Sequence, residues 1–109
     1  GTSALWDVPP AGFGPYAMAK QALLGLTRSM AMEWGGDGIT VNCVSPGMVA
    51  TDLTAFIPKA MKNAVALQTP LKRLATPQDV AAVVRMLCSQ AGDFITGAHL
   101  HVTGGARMP

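Results

Sequence analysis

Residues 38–47 read GITVNCVSPG. Seven residues rich in β-branched side chains, Ile39 to Ser45, lie between a glycine and a proline–glycine pair. That pattern predicts a short buried strand, of the kind used in parallel sheets covered on both faces. The preceding residues say how the chain reaches it. From Tyr16 to about Trp34 there is no proline, and alanine, leucine and methionine dominate, which predicts a helix. Pro15 stands just before it, where a missing amide hydrogen costs nothing. The cluster Gly35-Gly36-Asp37-Gly38 ends it. Helix, glycine turn and buried strand form the αβ half of a βαβ unit.

Within that helix, Ala19, Leu23, Leu26 and Met30 make one apolar stripe, and Met18, Ala22, Gly25 and Met32 a second, roughly opposite. A helix apolar on two faces is expected to be buried on two faces. Downstream, the pattern from Met48 to Thr76 is weaker. Thr51-Asp52 is placed to cap a short helix, Pro58 to open another running to about Gln68, and Pro70 to break it. So long an irregular excursion in a compact domain is often a binding or lid segment. Thr76-Pro77-Gln78-Asp79 is a helix start, with a threonine cap, a proline in the first position and an acid in the first turn. This helix is expected to run to about Ser89, with Val80, Val83, Val84 and Leu87 toward a core. Gly97 to Val102 reads as a final strand, ended by Gly104-Gly105. Two parallel strands are too few for a stable open α/β sheet. The expectation is therefore the second half of a larger α/β domain, or strands supplied by another chain.

Composition narrows the function. Half of the 109 residues are hydrophobic and 13% are charged, against about a quarter charged in ordinary soluble domains. The surplus points to deep packing, subunit contacts or a missing part of the fold. A net charge of +2, with only the doublets Lys59/Lys62 and Lys72/Arg73, is too little for a nucleic-acid surface. No apolar run approaches the roughly 18 residues of a membrane span, and no signal peptide is recognisable. Cys43 and Cys88 match no metal spacing and read as buried, reduced thiols of a cytoplasmic protein.

The chemistry-bearing stretch is YAMAK, residues 16–20. On a helix, Tyr16 and Lys20 share a face one turn apart. An ammonium beside a phenol favours the phenolate, and a nearby oxidised nicotinamide would add to the effect. Such a tyrosine can protonate a carbonyl oxygen as hydride reaches its carbon, and deprotonate the alcohol in reverse. Ser3, thirteen residues earlier, is a candidate donor to that oxygen. The plain alternative is an aromatic and a solvated lysine that happen to be neighbours.

The stretch from Thr2 to Leu53, with VNCVSPGMVAT, RLATPQDVA and FITGAHLHVTGG in that order, resembles the short-chain dehydrogenase/reductases, and within them the β-ketoacyl-carrier-protein reductases and related secondary-alcohol dehydrogenases. The resemblance covers essentially the whole chain. It implies an α/β fold in which residues 1–109 form the C-terminal half of one NAD(P)-binding Rossmann domain. That half is helix, strand, lid, helix and strand of a doubly wound parallel sheet. It implies Tyr16 as acid/base and a cofactor contact, Lys20 as its partner and a ligand of the nicotinamide ribose, and Ser3 on the substrate carbonyl. Pro46, Gly47, Val49 and Thr51 would surround the nicotinamide end of NAD or NADP, Val49 through its backbone. Residues 52–70 would be the lid, and Phe56, Ile57, Met61 and Leu67 either line the substrate site or pack on the body of the protein.

The implied partners are a small-molecule or acyl-thioester carbonyl substrate and a second copy of the chain, met through helix 16–34 and the last strand. No nucleic acid, membrane or metal is expected. The family's glycine-rich turn belongs to an N-terminal half not found in these residues. A complementary half is therefore an expected partner, and the competing reading is a catalytically inactive fragment or oligomerisation module. Thr103 stands where the family commonly has aspartate. His99 and His101 share a strand face, and a subunit contact or solvated edge suits them better than a metal. Trp6 and Trp34 read as packing residues, with Trp6 a candidate for the substrate entrance. Asn42 reads as a buried structural amide needing partners, and Arg28 and Glu33 as surface or interface charges.

Overall fold

A computed structural model describes residues 9–108; Ser3 and Trp6 lie outside the described residues. Helix α1 spans Gly14–Trp34, two residues earlier than expected because Pro15 sits inside its first turn. A 3-10 turn over Gly35–Asp37 follows, capped by Gly38 at φ 75° in the left-handed region, where glycine alone is unstrained. Strand β1 is Cys43–Pro46. A 3-10 turn over Asp52–Thr54 leads to α2, Lys59–Gln68, with Pro58 at its N-cap. Helix α3 is Pro77–Leu87, and β2 is His99–Val102.

β1 and β2 pair in parallel, with Cys43 opposite His99 and Ser45 opposite His101. The sheet is α/β in character, as the sequence pattern requires. β1 begins four residues later than expected. The chain facing residues 39–42 is not extended: Gly97 adopts φ 70° and bends the partner away. One main-chain bond remains there, from Gly97 N to Val41 O at 2.7 Å, and side chains add the rest. Asn42 Nδ2 donates to Ile95 O at 2.8 Å, and Asn42 Oδ1 accepts from Ala98 N at 3.0 Å. Val41 N donates to Thr96 Oγ1 at 3.0 Å. Asn42 thus finds the partners its position demands.

Other expectations need correction. The buried face of α1 carries Ala17, Thr27 and Ala31, a third stripe between the two expected ones. Small side chains let the helix backbone approach the sheet closely, whereas the larger residues point outward, Met18 at 69% exposure and Met32 at 86%. Trp34 and Ile39 are also exposed, and β1 is fully buried only at Ser45. α3 stops at Leu87, so Cys88 lies in its exposed C-cap, and Cys43 is half-buried. Both thiols are free but neither is fully buried. Val80, Val83 and Leu87 are half-buried, while Val84 falls at the rim of that face and is exposed. No described helix is long and apolar enough to cross a membrane.

The cap of α3 follows the expected chemistry in full. Thr76 Oγ1 accepts from Asp79 N at 3.2 Å, and Asp79 Oδ2 accepts from Thr76 N at 2.7 Å. This reciprocal pair satisfies two otherwise orphaned donors. Arg73 closes the arrangement with a two-pronged contact to Asp79, at 2.6 and 3.0 Å. The Arg73 guanidinium, then the bonds from Thr76, hold the Asp79 carboxyl well below the usual carboxylate range.

Candidate active site

Four local features build the site. Tyr16 stands in the first turn of α1, its ring edge-on to Phe13 with centroids 6.4 Å apart. Lys20, one turn on, places its Nζ 5.5 Å from the centre of the Tyr16 ring. The expected pair is therefore formed, as an ammonium against an aromatic face. Across from it, the chain leaving β1 turns through Pro46 and Gly47, and Gly47 N donates to Val102 O at 3.0 Å. The second wall is the 3-10 turn after Thr51.

These walls enclose an open cleft of about 1180 Å³, lined by Tyr16, Pro46, Gly47, Val49 and Thr51 among others. Five residues expected at the site from sequence thus meet in one cleft, at the C-terminal end of β1. Ligands in open α/β sheets bind at such strand ends. Lys20 stands beside the cleft through Tyr16 rather than in its lining. Ser3 lies outside the described residues.

Val49 is held in a way the sequence did not announce. It forms an isolated parallel bridge with Ala75. Ala75 N donates to Met48 O, and Ala50 N donates to Ala75 O. In a parallel ladder those bonds flank Val49, so its own N–H and C=O turn to the opposite side. The C=O accepts from Thr54 Oγ1 at 2.8 Å. The N–H points the same way, on a residue that lines the cleft, and is free to meet a carbonyl or carboxamide. Thr54 Oγ1 also accepts from Thr51 N at 3.1 Å, which fixes the turn. A donor of this kind, on a wall at a strand end, suits the amide of a nicotinamide.

The lid expectation splits. Phe56 and Ile57 line the cleft, while Met61 and Leu67 do not and are exposed on α2. Phe13, Met48, Leu53 and Val80 also line it and were not foreseen. Phe13 had a signal, an aromatic three residues before Tyr16 at a helix start. Val80 had none, because its helix reaches the cleft only through the tertiary fold.

His99 and His101 do share a face, their rings 4.1 Å apart. His99 Nε2 and the buried Ser45 Oγ lie 2.7 Å apart, while the buried His101 Nδ1 has no partner. Burial, then the fields of His101 and Arg28, push His99 below the usual imidazole value. No group of three metal-ligating side chains occurs among the described residues.

Known proteins resemble the chain in sequence and in fold. The family model described as enoyl-(acyl carrier protein) reductase matches residues 4–107. The chain is 42% identical over 98 residues to 3-oxoacyl-(acyl-carrier-protein) reductase FabG of Vibrio cholerae, covering 90% of this chain and 40% of that protein. It is 39% identical over 107 residues to (3R)-3-hydroxyacyl-CoA dehydrogenase of Mus musculus, covering 98% and 41%. Among solved structures, a short-chain dehydrogenase/reductase from Brucella melitensis superposes with TM-score 0.87 at 33% identity, over 99% of this chain and 42% of that one. A 4-hydroxyisoleucine dehydrogenase complexed with NADH superposes with TM-score 0.84 at 36% identity, over 96% and 43%. The chain thus spans about two-fifths of the length of the relatives it matches.

Proposed function

Because the chain belongs to the short-chain dehydrogenase/reductase family, we propose that it carries the catalytic half of an NAD(P)-dependent oxidoreductase interconverting a ketone, or a β-keto group, and a secondary alcohol. The observation that supports this most is the Tyr16–Lys20 pair facing the Pro46–Thr51 wall across one cleft. When bound, the nicotinamide supplies or accepts hydride. The protein's own residues do the rest.

Tyr16 gives its phenolic proton to the substrate oxygen in reduction and recovers it in oxidation. Lys20, held against the Tyr16 ring, would hold the nicotinamide ribose. Ser3 holds the substrate carbonyl. Pro46, Gly47 and Thr51 would hold the nicotinamide end, and the Val49 N–H would donate to its carboxamide. Phe56 and Ile57, from the lid, exclude water from the reacting carbon. The outward apolar residues of α1, Met18, Leu23, Leu26 and Met32, suit a contact with a second copy, together with the edge of β2.

The test uses protein expressed from the complete gene. Mixed with NADH or NADPH and a methyl ketone, it should bind one cofactor and consume its 340 nm absorbance (about one tenfold rate step per 1.4 kcal/mol of barrier removed). Absence of binding and turnover with both cofactors would instead support the inactive oligomerisation module.

A further inference from the structure

The lining of the cleft has a property that the hydride-transfer reading does not require. Among the described residues, no lysine, arginine, histidine, aspartate or glutamate lines it. Its polar side chains are Tyr16, Thr51 and Thr54, and the Thr54 hydroxyl is already engaged with Val49 O and Thr51 N. The other lining residues are apolar, small and large, and two of the large ones face open space: Leu53 is 83% exposed and Phe56 82%. Phe13, half exposed, continues the same surface beside Tyr16. A contiguous exposed apolar patch beside a polar reacting group marks a binding groove. Among the described residues its lining has no group to compensate a carboxylate or phosphate drawn out of water, and an unpaired charge there is heavily penalised. Lys20 stands against the Tyr16 ring, outside the lining.

We infer that the substrate is a neutral ketone or alcohol whose non-reacting arm is an uncharged, apolar chain or ring, seated between Phe13 and the lid residues Leu53 and Phe56, and that these three residues select against substrates carrying an anionic arm. This rests on the oxidoreductase reading for the reacting end alone. The arm's polarity follows from the lining. Relatives acting on amino-acid-like and thioester substrates show that family membership does not decide the point.

The experiment compares octan-2-one with 7-oxooctanoate, which has the same length and the same methyl ketone but a carboxylate at the far end. Protein from the complete gene, saturated with NAD+ or NADP+ so that the ketone is not consumed, is titrated with each by calorimetry, and turnover with NADH or NADPH is followed separately. Octan-2-one should bind at least about tenfold tighter, the equivalent of a modest part of an unpaired-charge penalty. In Leu53→Lys and Phe56→Lys, the preference should narrow at least about tenfold, by weaker ketone binding and stronger oxo-acid binding. Both positions are too exposed to endanger the fold, and circular dichroism checks this. Equal or tighter binding of 7-oxooctanoate, an unchanged preference in both variants, or binding of neither ketone overturns the inference. Binding with the expected preference but no turnover would leave it standing and sink the oxidoreductase reading instead.

Discussion

Asn42→Ala probes how the site is held in place. The Asn42 amide stitches the approach to β1 onto the loop before β2, donating to Ile95 O at 2.8 Å and accepting from Ala98 N at 3.0 Å. Truncation removes both bonds and leaves two part-buried backbone groups without partners. Each such loss costs about 1–1.5 kcal/mol, so the variant should lose about 2–3 kcal/mol. The main-chain bond from Gly97 N to Val41 O at 2.7 Å remains and limits the damage. The loss should appear as a lower urea midpoint with an unchanged slope in protein expressed from the complete gene. Asn42→Asp separates hydrogen bonding from packing. Its carboxylate keeps the acceptor for Ala98 N but sets an oxygen against Ile95 O. That contact raises the pKa of the introduced acid, so the native state gains stability as pH falls and the protonated acid can donate. A variant Asn42→Ala within about 0.5 kcal/mol of the parent would refute the claim that this amide joins the two strands.

Three further outcomes are expected. At Gly92, an added Cβ would lie 2.2 Å from Leu87 O and 2.6 Å from its carbonyl carbon. These are backbone atoms that cannot turn aside, so Gly92→Ala should cost about 2–4 kcal/mol in denaturant titration, and a loss under about 0.5 kcal/mol would contradict the close approach. His99 titrates below its ordinary value in the folded chain, so the unfolded chain takes up its proton first. Stability should therefore fall as pH drops through about 6.5 toward the folded value, and His99→Gln should flatten that slope between pH 7 and 5. Asp79 is held below the usual range chiefly by Arg73, so its stabilising contribution is present above about pH 4 and lost only in stronger acid. In Arg73→Gln, NMR titration should move the Asp79 carboxyl back toward the ordinary value.

Local punctuation was legible in the sequence wherever one residue dictates backbone geometry. Pro58, Thr76-Pro77, Thr51 and Gly38 each start or stop an element where expected. The Tyr16–Lys20 pair was legible because helical spacing alone brings it together, and the Pro46–Thr51 wall only through the resemblance to the family. What failed depends on partners distant in sequence. The length of β1 is set by the bend at Gly97, 54 residues after Cys43. The buried stripe of α1 was missed because Ala17, Thr27 and Ala31 are small or polar, and hydrophobic periodicity weights large side chains. The bridge between Val49 and Ala75, which orients the Val49 N–H, leaves no local pattern at all.

The most direct measurement is the turnover of Tyr16→Phe in protein expressed from the complete gene, with NADH or NADPH binding measured in parallel. Removing one phenolic oxygen from a side chain 48% exposed should leave the fold intact, and the parallel binding measurement separates any loss of cofactor from loss of the proton donor. If Tyr16 is the proton donor, kcat should fall by about 10²–10⁴-fold. A kcat within about threefold of the parent, against that expectation, would contradict the account.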